Sequence, residues 1–353
     1  MFSLIKLFFK IIFYLLGLAL LTGLGIGIYL LYQAVFSPLP FPAADDSKII
    51  YIPSGSGFET VAKILLREKI ISSTSVFYKL AEVKKYRKSI KPGRYRIKKH
   101  TNLNALINLL RSGAQEPVEV VFNNVRTKKQ LVTQVCRKLE ADSITMLSLL
   151  NNNQYLKNNF GLTRENVLVL FIPNTYELYW TTSADEFLAR MAREYKQFWT
   201  EDRKEKAKMR KLSQTQVAIL ASIVQAEQSR FDDEKPAIAG LYLNRLKRNI
   251  PLQADPTLVY AAGDFGINRV LNVHKDIDSP YNTYLHTGLP PGPICLPEIS
   301  SLDAVLNAED NDFIYMCAKE DFSGKHNFSK TLEQHNACAA RFRRALDAAN
   351  IKK

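Results

Sequence analysis

The chain has 353 residues, 46% of them hydrophobic and 23% charged, and its net charge is +14 at pH 7. Those proportions are ordinary for a globular protein, so most of the chain is expected to bury a core, which excludes a mostly disordered chain. Much of the positive charge lies in residues 79–100 and 203–211. It suits nucleic acid, an anionic membrane or an acidic polymer, and charge alone does not choose among them.

The four cysteines are far apart and form no CxxC or Cys/His cluster: Cys136, Cys295, Cys317 and Cys338. This spacing argues against a zinc site or a redox dithiol. No motif requires a cofactor, so we expect neither a metal nor a cofactor. The sequence is compatible with one disulfide in an oxidising compartment and does not identify its partners.

Residues 11–36 contain no charged side chain, and the run exceeds the roughly 20 residues that a helix needs to cross a bilayer. Lys6 and Lys10 precede the run and two aspartates follow it, so the positive-inside rule places residues 1–10 in the cytoplasm and everything after about residue 40 outside. We predict an uncleaved, single-pass signal anchor in the inner membrane. A cleaved signal peptide is disfavoured because the run is longer than an h-region and lacks a clear small-x-small site. Exported domains rarely meet DNA, so nucleic acid is not an expected partner.

Residues 37–47 hold three prolines and are predicted to form an extended linker. The following residues, 48–124, show strand-like and helical patterns in the order strand 48–53, helix 58–70, helix 74–86, strand 94–98, helix 102–110 and strand 117–123. A strand–helix–helix–strand unit of this size is the layout of a LysM-like carbohydrate-binding module. We therefore predict a small LysM-like module over 48–124.

Residues 125–353 are predicted to form a mixed α/β catalytic domain, which makes the fold class α+β. Residues 126–211 have mostly helical patterns, with a break at 167–179. Ser213 followed by Gln216 is a capping box, so a helix is expected to begin there. The next eight residues, 217–224, are apolar almost all round, which is typical of a buried helix.

Glu227 is the first carboxylate along this helix. In helical spacing it shares a face with Leu220, Ile223 and Val224, at the edge of an apolar stripe and in the last turn. Burial and the negative end of the helix dipole both raise a carboxyl pKa, which suits a general acid working near neutral pH. The structural alternative is that Glu227 simply marks where the helix reaches water.

Two downstream segments carry further polar candidates. In residues 252–257 (LQADPT), Asp255 is predicted to be a helix N-cap, with Pro256 at the first helical position. Residues 279–293 (SPYNTYLHTGLPPGP) form a predicted rigid loop whose aromatic rings and amides suit the face, hydroxyls and N-acetyl groups of a sugar. The structural alternative is a loop that covers the core. Residues 313–318 are predicted to form a buried strand, and 326–329 to lead into a helix.

Several segments in collinear order resemble the signature of the endolytic murein transglycosylase family (MltG, or YceG-like). They are 171–176 (FIPNTY), 221–227 (ASIVQAE), 252–257 (LQADPT), 281–284 (YNTY), 288–292 (GLPPG) and the tail 326–336 with its HNF and HN elements. The resemblance spans about residues 48–345. It implies cleavage, without water, of the β-1,4 bond between N-acetylmuramic acid and N-acetylglucosamine inside a strand, as the muramic C6 hydroxyl attacks C1 and leaves a 1,6-anhydro end. The implied partners are peptidoglycan strands, peptidoglycan synthases and other elongation or division proteins.

The resemblance also implies the site residues. Glu227 falls on the catalytic position, and substrate contacts are expected at Tyr176, Gln225, Gln253, Asp255, Tyr281, Asn282, Tyr284, His326 and Asn327. The family run usually has two glutamates two positions apart, and here Gln225 replaces the first. Residues two apart on a helix do not face each other, so the missing carboxylate need not disturb Glu227.

The mechanism implied by the resemblance needs one carboxyl group. Hydrolases of glycosidic bonds usually use two carboxylates, and Glu227 is the one convincing candidate. An attacking sugar hydroxyl makes the second unnecessary, because Glu227 can protonate the leaving oxygen and then take the proton of the C6 hydroxyl. Two alternatives stay open. One is a non-catalytic glycan-binding or scaffold protein, and the other is a muramidase-type hydrolase with Asp255 as its second carboxylate.

Overall fold

The computed structural model describes residues 2–40, 46–267 and 269–349, so residues 41–45 of the predicted linker and the last four residues of the predicted catalytic domain lie outside it. The helices in the described residues are α1 (Phe2–Phe36), α2 (Phe58–Arg67), α3 (Thr74–Val83), α4 (Leu103–Ser112), α5 (Lys128–Cys136), α6 (Ser143–Asn151), α7 (Asn153–Phe160), α8 (Ala184–Phe198), α9 (Glu201–Met209), α10 (Gln214–Glu227), α11 (Lys235–Lys247), α12 (Asp255–Ala262), α13 (Asn272–Lys275), α14 (Ile299–Leu306) and α15 (Leu332–Ala348). The strands are β1 (Ser47–Ile52), β2 (Gly93–Lys98), β3 (Val118–Val121), β4 (Thr175–Leu178), β5 (Tyr315–Ala318) and β6 (His326–Ser329). Short 3₁₀ turns cover Tyr86–Lys88, Val167–Leu170 and Asp232–Glu234. This mixture confirms the predicted α+β class.

The N-terminal helix α1 is 35 residues long and apolar enough to cross a membrane. It begins at Phe2, so it also includes residues that the charge pattern assigned to the cytoplasmic N-terminus. Nearly all of its large hydrophobic side chains are exposed. A soluble protein rarely leaves so large an apolar surface uncovered, whereas a lipid bilayer would cover it.

Residues Met1–Val118 and Glu177–Thr181 form one compact unit. Strands β1 and β2 pair antiparallel from Ser47 opposite Lys98 to Ile52 opposite Gly93, and α2 and α3 lie between them in the chain. The predicted order of strand, helix, helix and strand is therefore confirmed. One apolar core joins these elements, with Phe77, Tyr86 and Tyr95 fully buried in it.

Residues Glu119–Tyr176 and Thr182–Lys353 form the second unit. Helix α10 packs against α11, α12 and α14, and its residues from Val217 to Gln225 are all buried. The predicted capping box is present: Gln216 N donates to Ser213 Oγ at 3.2 Å, and Ser213 N donates to Gln216 Oε1 at 2.8 Å. The two hydrogen bonds of the capping box fix the start of α10. The buried apolar residues that follow fix the direction of the helix through the core.

The C-terminal part of the second unit agrees with the sequence prediction in one respect and differs in another. Helix α15 follows residues 326–329 as predicted, while the strand predicted to be buried over 313–318 covers only Tyr315–Ala318. Strand β5 is half-buried, and residues 326–329 form strand β6, which pairs antiparallel with β5. Each strand has only four residues, which is too few to show a clear alternation of polar and apolar side chains in the sequence. The two strands are defined by the hydrogen bonds that they make to each other across a turn. The four cysteines are free thiols, so none of them forms the disulfide that the sequence left open.

Helix α11 lies very close to the segment before β5. A Cβ placed on Gly240 would lie 2.3 Å from Glu309 O and 2.7 Å from Asn311 Nδ2. Asn244, one turn further along α11, donates to Asn311 O at 2.7 Å and to Phe313 O at 3.0 Å. Glycine therefore sets the distance at which α11 holds the start of this hairpin.

We expect Gly240→Ala to destabilise the second unit by about 1–3 kcal/mol, because the added methyl group overlaps a backbone carbonyl. Thermal unfolding followed by circular dichroism measures the effect, and the melting temperature should fall by several degrees. Ser148→Ala, at an exposed position of α6 in the same unit, is the control and should leave the melting temperature nearly unchanged. An unchanged melting temperature for Gly240→Ala would contradict the close approach.

Candidate active site

Glu227 is the last residue of the buried helix α10. Its side chain is half-buried, and its Oε1 accepts a hydrogen bond of 2.7 Å from the Oη of Tyr242 on α11. Tyr242 is itself buried. The carboxyl group is thus fixed on one side by a neighbouring helix at the point where α10 leaves the core.

The surroundings of Glu227 hold its pKa far above the ordinary value. Burial is the largest cause and raises the pKa of Glu227 to about 7, with the hydrogen bond from Tyr242 acting to lower it and the Asp255 carboxylate acting to raise it. Burial and the nearby Glu227 carboxylate also raise the pKa of Tyr242 well above its usual range, which keeps its hydroxyl a donor. Near neutral pH both protonation states of Glu227 are therefore populated, as a group that gives and takes a proton requires.

Asp255 faces the same region from the start of α12. Ala254 is the N-cap and Asp255 is the first helical residue, so the predicted N-cap role of Asp255 is wrong. The helix starts one residue early because two buried threonines hold Ala254: its N–H donates to Thr283 Oγ1 at 3.1 Å and its carbonyl accepts from Thr257 Oγ1 at 2.7 Å. The exposed carboxylate of Asp255 accepts instead from Tyr284 Oη at 2.6 Å.

Two cavities meet at Glu227 and Asp255, which line both of them. The large cavity has a volume of about 920 Å³ and is also lined by Arg126, Gln225, Tyr260, Phe265, Arg269 and Cys295. The small cavity has a volume of about 450 Å³ and is also lined by Tyr242, Arg245, Gln253, Tyr284, His326 and His335. The carboxyl of Glu227 is therefore approachable from two sides.

His326, on β6, is oriented by a buried carboxylate. Its Nδ1 lies 2.9 Å from Glu234 Oε2, and its backbone N–H donates to Glu234 Oε1 at 2.7 Å. Gln228, one residue after α10, donates to Glu234 Oε2 at 2.7 Å. With Nδ1 directed at Glu234, the imidazole presents its other edge to the small cavity.

Comparisons with known proteins show the family of the chain. The model of the YceG-like family matches residues 50–341. The chain belongs to that family. It is 31% identical over 319 residues to the endolytic murein transglycosylase of Bacillus subtilis, covering 85% of this chain and 87% of that protein. It is 27% identical over 361 positions to the enzyme of the same name from Streptococcus pneumoniae, covering 92% of this chain and 64% of that protein. A solved yceG-like protein from Listeria monocytogenes superposes with a TM-score of 0.55 at 26% identity, covering 83% of this chain and 98% of that one.

Within the YceG-like signature, Gln225 connects helix α10 to the segment before α14. Its Oε1 accepts from Glu298 N at 2.5 Å and its Nε2 donates to Leu296 O at 3.5 Å. An ionised glutamate here could accept the first bond and could not donate the second. Ser222, one turn earlier, accepts from Ile294 N at 3.0 Å. Gln225 thus lines the large cavity and also holds the segment that contributes Ile294 and Cys295 to the same lining.

Some of the predicted contact residues use their polar groups inside the protein. Asn282 is fully buried, and its Nδ2 donates to Lys275 O and Ile277 O at 2.8 and 2.9 Å while its Oδ1 accepts from Tyr284 N at 2.9 Å. Tyr281 packs its ring 4.6 Å from that of Tyr260. These contacts shape the 279–293 loop and hold Tyr284 at the small cavity.

Tyr176 and Asn327 line neither cavity. Tyr176 is buried, stacks on Phe122 at 5.4 Å, and donates to Ile172 O at 2.5 Å. Asn327 donates to Glu320 Oε2 at 2.8 Å. Of the predicted residues, the structure therefore gathers Glu227, Gln225, Gln253, Asp255, Tyr284 and His326 around the two cavities.

Sequence reasoning missed several residues of the site, among them three that line the small cavity. Tyr242 fell on the apolar stripe of its helix, and nothing in its spacing shows that its hydroxyl reaches Glu227. Arg245 is buried and donates to Pro251 O, Ile314 O and Gln253 Oε1 at 2.9, 2.7 and 2.6 Å, which fixes Gln253 in the small cavity. His335 stacks on Tyr315 at 5.3 Å, and its buried Nδ1 has no hydrogen-bond partner among the described residues. The HN element of the tail was the available signal for His335.

The balance that sets the pKa of Glu227 can be tested one neighbour at a time. Tyr242→Phe removes the hydrogen bond that stabilises the carboxylate, so the pKa of Glu227 should rise. Asp255→Asn removes the nearby negative charge, so the pKa should fall. Carboxyl ¹³C NMR of glutamate-labelled protein, assigned with Glu227→Gln, measures both changes. Tyr281→Phe is the matched control and should leave the value unchanged; a shift in the same direction for both test variants would contradict this arrangement.

Proposed function

We propose that the chain is an endolytic lytic transglycosylase of peptidoglycan, with Glu227 as its general acid and base. The observation that carries the proposal is a carboxyl group with a pKa raised to about 7, lying where two cavities meet. The names of the Bacillus and Streptococcus relatives support the same substrate and reaction class.

In the proposed reaction, protonated Glu227 donates its proton to the oxygen of the β-1,4 bond between N-acetylmuramic acid and N-acetylglucosamine. The C1–O bond breaks and the glucosamine leaves with its 4-hydroxyl restored. The C6 hydroxyl of the same muramic acid then forms a bond to C1, and Glu227, now ionised, takes its proton. The product is a 1,6-anhydro end, and the enzyme returns to its protonated state without consuming water.

The arrangement of the cavities supports cleavage inside a strand. Because both cavities share Glu227 and Asp255, a glycan chain can extend away from the cleaved bond in both directions. Gln253, Tyr284 and His326 would contact sugar on the small-cavity side, and Gln225 on the other. Asp255 would act on Glu227 through its charge, since its own carboxylate is held by Tyr284.

The organisation proposed around this site follows the sequence prediction. Residues 1–10 would lie in the cytoplasm, 11–36 would span the inner membrane, 37–47 would act as a linker, 48–124 would form a LysM-like module and 125–353 the catalytic domain. Anchored in this way, the site would meet nascent strands beside peptidoglycan synthases and other elongation or division proteins.

Glu227→Gln should reduce cleavage by at least about 10²-fold, because the amide can neither donate an acidic proton nor accept one. The assay digests purified peptidoglycan with the purified protein and identifies the fragments by mass spectrometry. Anhydro-muramyl ends should appear with the unchanged enzyme and vanish with the variant. Glu205→Gln, an exposed carboxylate on α9 that lines neither cavity, should retain full activity.

The same assay separates the two alternatives. A hydrolase using Asp255 as its second carboxylate would leave reducing ends instead of anhydro ends, and Asp255→Asn would abolish them. A non-catalytic binding protein would give no products at all. Either outcome would contradict the transglycosylase proposal.

The LysM-like module offers a separate test of glycan binding. Tyr51 on β1 is 44% exposed, and its ring lies 4.9 Å from that of Trp180 within the same unit. Since aromatic rings stack on sugars, Tyr51→Ala should weaken pelleting with murein sacculi by about tenfold. Leu66→Ala, which removes another exposed apolar side chain from the same unit, is the control. Equal binding by the two variants would count against a glycan-binding role for this pair.

A further inference from the structure

The large cavity carries cations that the small cavity does not offer to a ligand. Arg126, just before α5, and Arg269, between α12 and α13, both line it and are both exposed. Across residues 2–40, 46–267 and 269–349, neither belongs to a salt bridge. The carboxyl groups that share this cavity are those of Glu227 and Asp255, and Asp255 already accepts from Tyr284.

The guanidinium of Arg126 is held in a defined position. It lies over the ring of Phe265, with its central carbon 5.0 Å from the ring centroid. A guanidinium stacked on an aromatic face keeps its N–H edge free in the plane, where it can bind a carboxylate through two parallel hydrogen bonds. Arg126 is thus positioned by a cation–π contact that uses none of the N–H donors of its guanidinium.

Arg245, the arginine of the small cavity, already uses its hydrogen-bond donors within the protein. Arg245 is buried, and within the described part of the chain its guanidinium donates to the oxygens of Pro251, Ile314 and Gln253. A ligand on that side meets tyrosine, histidine and amide groups instead of an available cation. The two sides of Glu227 therefore differ in charge as well as in volume.

We propose that Arg126 and Arg269 bind a carboxylate of the stem peptide, so that the enzyme selects peptide-bearing strands over denuded ones, whose muramic acids keep only the lactyl carboxylate. This inference rests on the proposed function. Muramic acid carries a lactyl ether to which the stem peptide is attached, and that peptide ends in free carboxylates. The large cavity, about 920 Å³ against about 450 Å³, has the room and the charge for such a branch.

The test compares two soluble substrates of equal length, one with its stem peptides and one stripped by an amidase, which leaves a free lactyl carboxylate on each muramic acid. A preference for the stripped strands that the arginine substitutions remove would show that the lactyl carboxylate is bound instead, and would contradict the proposal. The unchanged enzyme should have the higher kcat/KM on the peptide-bearing strands. In Arg126→Gln/Arg269→Gln, the ratio of the two kcat/KM values should fall by about 10–100-fold, the worth of losing one or two charge-assisted hydrogen bonds. Arg137→Gln, an exposed arginine that lines neither cavity, should leave the ratio unchanged.

Several outcomes would overturn the inference. If the double variant loses activity equally on both substrates, the arginines affect the fold or Glu227 and do not bind the stem peptide. If the unchanged enzyme makes anhydro ends from both substrates at equal rates, the selectivity fails and the proposed function stands. If it makes anhydro ends from neither, both fail. Binding of the two substrates to Glu227→Gln, with and without the arginine substitutions, provides a readout that does not depend on turnover.

Discussion

The burial of helix α10 is the constraint on which the rest of the candidate site depends. A helix that is apolar on every side must be surrounded by other elements, and here α11, α12 and α14 surround it. Because the helix ends at Glu227, the packing that hides its apolar residues also brings this carboxyl group to the edge of the core. Desolvation is then the largest cause of the raised pKa of Glu227. The free energy needed to keep the carboxylate poorly solvated is offset by the favourable packing of the helices around α10.

The few polar side chains on α10 organise what lies around it. Ser222 and Gln225 are buried, and their bonds to Ile294 N and Glu298 N fix the chain that forms a wall of the large cavity. An amide at position 225 can both donate and accept, and it adds no second negative charge to a helix end that already carries Glu227. The departure from the usual family pattern is therefore compatible with the same wall and with a catalytic Glu227.

Much of this arrangement could be predicted from the sequence, because the relevant signals are local. The capping box at Ser213 and the apolar run after it define α10 and place Glu227 at its end. The remainder depends on which hydrogen-bonding groups are already occupied, and residue type does not reveal that. Asn282 and Asp255 are both short polar residues in signature segments. Asn282 is buried and makes its hydrogen bonds inside a loop, whereas Asp255 is exposed beside Glu227. The contact of Tyr242 with Glu227 arises from the packing of two helices, which no local pattern encodes.

A single carboxyl group that must act as acid and then as base needs a pKa close to the pH at which it works. If the pKa were much higher, the ionised form would be a good base, but too little of it would be present. If the pKa were much lower, the protonated form would be a strong acid, but too little of that form would be present. The neighbours of Glu227 act in opposite directions, as burial and Asp255 raise its pKa and Tyr242 lowers it. Burial alone would favour an acid that is slow to ionise, and the tyrosine hydroxyl offsets this by stabilising the carboxylate. In this geometry Asp255 has a use that requires neither nucleophilic attack nor proton transfer, and the presence of a second carboxylate does not by itself indicate a hydrolase.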